Sequence, residues 1–340
     1  MALTQLEYSS VDIKKAARFS VAPMMDWTDR HCRYFHRKFT RKSLLYSEMI
    51  ASAALVKGKA FHLLEFSKEE HPVALQLGGS DPVQLSEAAS IGEAYGYDEI
   101  NLNVGCPSNR VQSGAFGAIL MKKPKLVANC CKAMINSSSV EVTVKCRIGV
   151  DEQDPNVVLP KFLHYISDAG IRRVTIHARK AILKGLSPKE NRDVPPLDYD
   201  LIFKMKDKFP DLHISLNGGV SNLSTAYKII SKGLDGVMIG RSAYQQPSLI
   251  LSNADKIIFG QETKKSPFDV AEEMRGYLKN HLKEGGKPHQ VTRHMVGLFH
   301  GLPGAKTWRQ ELSNGSNNNN IDYYDKALEK INNSFNAFAA

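Results

Sequence analysis

Short aliphatic runs recur through the first 250 residues, and longer segments of helical period lie between most of them. The pattern predicts strands at about 18–22 (RFSVA), 44–49 (LLYSEM), 72–77 (PVALQL) and 99–104 (EINLNV). Four more follow at about 141–147 (EVTVKCR), 173–178 (RVTIHA), 213–217 (HISLN) and 236–240 (GVMIG). Strands that alternate with helices pair in parallel, because a helical crossover returns the chain to the same end of the sheet. Eight such strands before residue 250 match an α/β fold, the parallel (β/α)8 TIM barrel, in number and length.

Helix punctuation agrees. Asp81 before Pro82 supplies an N-cap and a proline at the first helical position, and Gln84 completes a capping-box spacing. Gly96 and Gly170 close the helices before the fourth and sixth strands, and Asn222 and Gly233 bracket the helix before the eighth. After about residue 250 the strands stop. Phe268 to Glu284 reads as an amphipathic helix stopped by Gly285-Gly286, with helical stretches near 288–300 and 303–313 behind it. A polar loop at 314–320 (NGSNNNN) precedes a last helix from about Asp322 to Phe335. The expected organisation is an N-terminal tail (1–17), a barrel (18–255) and a C-terminal all-helical domain (256–340).

The fourth strand carries the most informative segment, NLNVGCP (101–107). Ile100, Leu102 and Val104 alternate with Asn101 and Asn103, and Gly105-Cys106-Pro107 then turns the chain sharply. Ligands of parallel β/α proteins collect at the carboxyl ends of strands, so a thiol with two carboxamides there reads as a site. On this segment alone a buried core cysteine before a tight turn is an equally open reading.

Composition narrows the class. A chain of 340 residues with 42% hydrophobic residues can bury a large core. Its 45 basic and 35 acidic residues leave a net charge of +10, which favours a polyanionic partner such as RNA, DNA or an acidic membrane face. The five cysteines are odd in number and form no CxxC pair, which argues for a reducing compartment and against a disulfide framework or a zinc site. Cys130 and Cys131 fall in an apolar helical stretch and read as packing residues. The leading segment MALTQLEYSSVDIKK has acids and no apolar core, so it does not read as a signal peptide, and no apolar run nears membrane-spanning length. The cytoplasm is the expected location, and no metal is expected.

The remaining strand ends carry further chemistry. The first is followed by Pro23-Met24-Met25, the third holds Gln76, the fifth Lys145, and the sixth His177 with Arg179 read on the same face. The seventh ends in Asn217-Gly218-Gly219 and the eighth in Gly240-Arg241, a pair of turns suited to phosphate, because glycine lets backbone N–H groups approach its oxygens. Each pair alone is ordinary turn chemistry. Lys145 in an apolar strand needs an anion beside it, and a flavin that becomes anionic on reduction would supply one. Gln76 can both donate to and accept from a pyrimidine edge, or serve as a satisfied core amide. His177 by itself reads equally as a core histidine. The long loop 180–198 holds Lys180, Lys184, Lys189 and Arg192, and the helical region adds Arg293 and GAKTWRQ, with Lys306 and Arg309 one turn apart. No GxGxxG, GxxxxGK[ST] or HExxH motif is present.

Taken together, APMMDWTD (22–29), NLNVGCPS (101–108), TVKCRIGVD (143–151), HARKAILKGLSPKENR (177–192), NGG (217–219) and GLFHGLPGAKTWRQ (297–310) resemble the tRNA-dihydrouridine synthases, the A subfamily in particular. The resemblance implies that Pro23, Met24, Met25, Gln76, Lys145, His177, Asn217, Gly218, Gly219, Gly240 and Arg241 hold FMN. It implies that Cys106 is the proton donor, that Asn103 touches the target uridine, and that Arg179, Lys189, Arg192, Lys306 and Arg309 meet tRNA. The substrate would be D-loop uridines U20 and U20a, with NADPH as reductant, no DNA or membrane partner, and a monomeric enzyme. The chemistry is sensible on its own terms. Hydride reaches C6 of the conjugated C5=C6 bond, and C5 then needs a proton, which a thiol of ordinary pKa near ~8.5 can donate at neutral pH. Two rivals remain at this point: an FMN barrel acting on a small molecule, and a non-enzymatic RNA-binding barrel.

Overall fold

The computed structural model describes residues 12–261, 265–315 and 320–339. Eight parallel strands close into a barrel in sequence order: β1 Phe19–Val21, β2 Leu44–Ala51, β3 Val73–Gly78, β4 Glu99–Val104, β5 Glu141–Arg147, β6 Arg173–His177, β7 His213–Asn217 and β8 Gly236–Ile239. β8 pairs with β1, leaving no free sheet edge. Each predicted strand is present, with ends shifted by no more than two residues.

Period-two alternation divides each strand between two environments. Ile100, Leu102 and Val104 of β4, and Val142, Val144 and Cys146 of β5, join the main apolar core. The alternate positions, Glu99, Asn101 and Asn103 against Glu141, Thr143 and Lys145, stand in register on the barrel's inner face. Barrel interiors of this kind are usually packed with branched aliphatics. Here polar side chains from β3 to β7 take that place, and a small apolar cluster that includes Leu44, Tyr46, Ala74 and Met238 fills the rest.

The helices end where the local chemistry stops them. Asp81 caps Pro82–Ala94 by accepting from the amides of Val83 and Gln84. Gly96, Gly170 and Gly233 follow their helices with φ of 93°, 103° and 111°, a region that costs other residues energy.

The C-terminal region is helical, with Pro267–Lys283, Pro288–Thr292, Ala305–Gly315 and Asp322–Ala339. Two expectations need correction. The stretch 288–300 is helical only to Thr292, because Gly297, Gly301, Pro303 and Gly304 follow within twelve residues; Gly301 and Gly304 take φ of 82° and 81°. Asn314 and Gly315, expected in a loop, instead finish the preceding helix, and the rest of that stretch, 316–319, lies outside the described residues. Trp308 is buried, stands edge-on to Phe299 and Tyr324, and donates its indole N–H to the Met295 carbonyl at 2.8 Å. The helical region joins the barrel through Asp29, which accepts from Arg293 and His294, through the stacked Tyr34–Tyr277 pair, and through Tyr244, which stands edge-on to His294.

Candidate active site

The carboxyl ends of the strands surround one cavity of about 1200 Å³. It is lined by Pro23, Met24, Met25, Gln76, Asn103, Cys106, Lys145, His177, Arg192, Asn217, Gly218, Gly219, Gly240 and Arg241, fourteen positions singled out from sequence. The volume exceeds the roughly 300–1000 Å³ of a site for one small ligand, so a cofactor and a base can share it.

Cys106 follows β4 on the wall of the cavity, its Sγ 3.5 Å from Ser108 Oγ. The other four cysteines are buried, and burial pushes the Cys146 thiol up to about 12, so Cys106 is the accessible thiol of the five. Lys145 stands one pleat away on β5, in register with Asn103. No described residue forms a hydrogen bond or ion pair with its ammonium, whose pKa is lowered to about 8 by burial and then by Arg147. A half-buried lysine without an anion carries a desolvation cost, and the cavity beside it has the chemistry to accept one. His177, in register with Arg147 and Asn217, is held well below its usual pKa by burial and then by the cations Arg147 and Lys145. It is therefore a neutral imidazole with one N–H to give.

Gly218 and Gly219 have φ of 107° and 72°. A Cβ on Gly218 would lie 2.6 Å from the His177 ring, and one on Gly219 2.4 Å from Leu197. Both shape and backbone thus require glycine. Gly240 differs, since a Cβ there would meet neighbours only at 3.5 Å, and its φ is −103°. Arg241 faces Asp193 across the mouth at 2.7 Å, leaving part of its donor fork for a ligand.

Asn103 and Gln76 are more committed than the sequence suggests. Asn103 Oδ1 accepts from the amides of Gly105 and Cys106 at 3.0 and 2.9 Å, and its Nδ2 donates to Gln76 Oε1 at 2.8 Å. Gln76 Nε2 donates to Asn101 at 2.8 Å. Each of these two amides keeps one N–H for a ligand.

Arg179 departs from expectation. β6 ends at His177, so Arg179 is not on the strand face; it lies in the loop, and its guanidinium donates to the carbonyls of Asp193 and Pro195. It does not line the cavity. Lys189, Lys306 and Arg309 are exposed outside the cavity.

Sequence reasoning missed Arg147, Asn191 and Glu48. Buried Arg147 donates to the carbonyls of Gly105, Lys180 and Asn191, each at 2.9 Å. Asn191, also buried, accepts from the Ile182 amide at 2.7 Å and donates to the Ile182 carbonyl at 2.8 Å, which closes the basic loop. Glu48 lines the cavity, accepts from the Asp26 amide, and has its pKa raised by burial. The alternation Thr143, Lys145, Arg147 was the available signal for the first; the other two carry none in isolation.

The match to known proteins agrees with this geometry. The family model described as "Dihydrouridine synthase (Dus)" matches residues 20–336. Proteins named tRNA-dihydrouridine(20/20a) synthase from Salmonella typhi and Escherichia coli (strain K12) are each 52% identical, over 93% and 92% of this chain and 96% and 90% of their own. One of the same name from Vibrio parahaemolyticus is 50% identical over 93% of this chain and 97% of its own. The old yellow enzyme homologue from Zymomonas mobilis shares the fold, with a TM-score of 0.52, 12% identity and coverage of 74% of this chain and 91% of its own. A sequence match spanning nearly the whole chain, on a closed eight-stranded barrel with a helical C-terminal region, identifies the chain as a member of the dihydrouridine synthase family and of its A subfamily.

Proposed function

We propose that this protein is a tRNA-dihydrouridine synthase that reduces the C5=C6 bond of D-loop uridines U20 and U20a, with FMN as resident cofactor and NADPH as reductant. The observation that carries the reading is that Cys106 and an ammonium without a protein anion, Lys145, open onto the same cavity. The names of relatives at 50–52% identity support the substrate.

Residues of this chain fit the cofactor. Lys145 would meet an anionic ring edge, and Gln76 has a free N–H for the ring's carbonyls. Gly218, Gly219 and Gly240 leave room for backbone N–H groups beside a phosphate, with Arg241 supplying charge. Pro23, Met24 and Met25, His177 and Asn217 complete the lining. When bound, FMN supplies the hydride that reaches C6. Cys106 gives its proton to C5 of the same base. Neutral His177 can donate to a carbonyl without adding a third charge to Lys145 and Arg147.

The target base has to leave the tRNA fold to enter the cavity. In this reading Lys189, Arg192, Lys306 and Arg309 hold tRNA phosphates, with the barrel (18–255) as catalytic domain and the helices from 256 as tRNA-binding domain. Phosphate contacts position the RNA but do not choose a base, so register comes from tRNA shape. Among the described residues no helix is long and apolar enough to cross a membrane; we take the enzyme as cytoplasmic and monomeric.

The test compares substrates. Purified protein reduced under anaerobic conditions should be reoxidised by unmodified tRNA with formation of dihydrouridine, and only slowly by free uridine. Equal reoxidation by free uridine would assign the site to a small-molecule reductase, and colourless protein that binds tRNA would leave only a binding role.

A further inference from the structure

A directed chain of hydrogen bonds runs through the barrel from its amino-terminal end to the turn that carries Cys106. It begins at Glu99, which accepts from Arg173 and from Tyr46, each at 2.7 Å, and from the Thr143 hydroxyl. Thr143 Oγ1 accepts from Asn101 Nδ2 at 2.8 Å, Asn101 Oδ1 from Gln76 Nε2 at 2.8 Å, and Gln76 Oε1 from Asn103 Nδ2 at 2.8 Å. The chain ends where Asn103 Oδ1 receives the amides of Gly105 and Cys106. Every side chain along it is buried.

Its direction follows from its origin. A carboxylate paired with a guanidinium can only accept, so Thr143 must donate to it. The hydroxyl is then left to accept, which turns the Asn101 amide nitrogen toward it. That choice orients Gln76, and Gln76 orients Asn103. A carboxamide is nearly symmetric in shape, and its two ends differ chiefly in hydrogen bonding. Without the chain, Asn103 could present its NH2 to two backbone N–H groups, which would strip both of an acceptor and displace the turn.

We infer that Glu99, acting through Thr143, Asn101, Gln76 and Asn103, is a positioning residue for Cys106. The inference rests on the reading of Cys106 as proton donor and deepens it: a charge at the far end of the barrel sets which way the amides beside the thiol point. A side chain on β4 that touches neither cofactor nor base thereby acts on the proton transfer.

Thr143 provides the test, because packing and relay make opposite forecasts there. Thr143→Val keeps the volume and removes the hydroxyl, whereas Thr143→Ser keeps the hydroxyl and removes a methyl group. The relay requires Val to slow tRNA-dependent reoxidation of the reduced enzyme by roughly 10- to 100-fold, since small misplacements of reacting groups cost that much. It requires Ser to stay within about threefold of the unaltered enzyme, and NADPH-dependent reduction to be unchanged in both. Should Val fail to fold, Asn101→Asp, of the same size, breaks the next link and is expected to give the same split between half-reactions. Full reoxidation rates in Thr143→Val, or a Ser variant slower than Val, overturn the relay. Cys106→Ala is measured alongside: full turnover there removes the proton-donor reading and the relay with it, whereas an inactive Cys106→Ala beside a fully active Thr143→Val removes the relay alone.

Discussion

Arg147 donates to the carbonyl of Asn191 at 2.9 Å while its Nε donates to that of Gly105 at the same distance. One guanidinium thus joins the turn that carries Cys106 to the loop that carries Lys189 and Arg192. The turn and the loop come from different strand ends, and Gln112 is a second link between them, its Nε2 donating to the Pro107 and Leu183 carbonyls at 2.8 and 3.1 Å.

Replacing Arg147 with Met leaves three carbonyls without this donor, those of Gly105 and Asn191 buried and that of Lys180 half-buried. Losing bonds to a charged group costs about 1.5–3 kcal/mol each at most, and the total is less than additive, so destabilisation of about 3 kcal/mol is expected. Chemical denaturation measures it. Because Arg147 touches both segments, tRNA affinity and turnover are expected to fall together; a variant that loses stability alone would confine Arg147 to structure.

Cys106→Ala is expected to keep bound FMN and to lose most dihydrouridine formation, on the order of 100-fold, the usual scale for a general acid. Flavin absorbance and nucleoside analysis of the product tRNA check the two halves of the statement. Full turnover in this variant would take Cys106 out of the mechanism.

The pKa of Lys145, lowered to about 8 by burial and by Arg147, sets a pH dependence for the cofactor. An anionic group bound beside the ammonium retains its proton, so binding favours the protonated form. Affinity for the reduced, anionic flavin is expected to be level up to about pH 8 and to fall above it by up to about tenfold per pH unit. Lys145→Gln should bind the reduced flavin more weakly and lose the break. Anaerobic binding titrations of reduced FMN across that interval decide it, and a flat profile for the unaltered protein would count against Lys145 as the anion partner.

Lys189→Ala combined with Arg309→Ala is expected to weaken tRNA binding while the protein stays yellow. Each phosphate contact contributes to the dependence of log K on log salt, so the slope should fall by about one to two in the double variant. Filter binding at several salt concentrations measures both quantities. Unchanged affinity would move the tRNA path away from the helical region.

Acid is expected to destabilise the fold before most carboxylates titrate. Burial lowers His31 and His36 to about 3 and holds His177 well below its usual value. The unfolded chain takes up protons at these histidines below about pH 6.5, and the folded chain does not, so stability falls with pH from there downward by roughly 1 kcal/mol per pH unit for each. Asp29 acts later: although burial opposes it, the hydrogen bond and charge of His294 hold its carboxyl well below the usual range, so its contribution is lost only below about pH 4. Melting temperatures from pH 7.5 to 5 should drop steadily; a constant value would mean that the histidines are protonated in the fold.

Much of the site was legible in the chain itself. Apolar alternation marks each strand, and a chemical residue at a strand's carboxyl end points into a barrel mouth whatever the rest of the sequence. Cys106, Lys145, His177 and the glycine turns after β7 and β8 were found that way, and all line one cavity. Arg179 was misplaced by the same logic, because β6 stops two residues earlier than a continued strand would and the guanidinium turns to the Asp193 and Pro195 carbonyls.

Local order in this protein is written in the sequence, since strand period, helix caps and left-handed glycines depend on neighbours a few residues away. Tertiary structure alone decided the direction of the carboxamides inside the barrel and the partners of Arg147. Thr143 meets Glu99 across 44 positions, and Arg147 meets Gly105 across 42. Such pairings exist only once the barrel has closed, and hydrogen bonds act over one atomic contact, so no pattern of residue types along the chain can announce them.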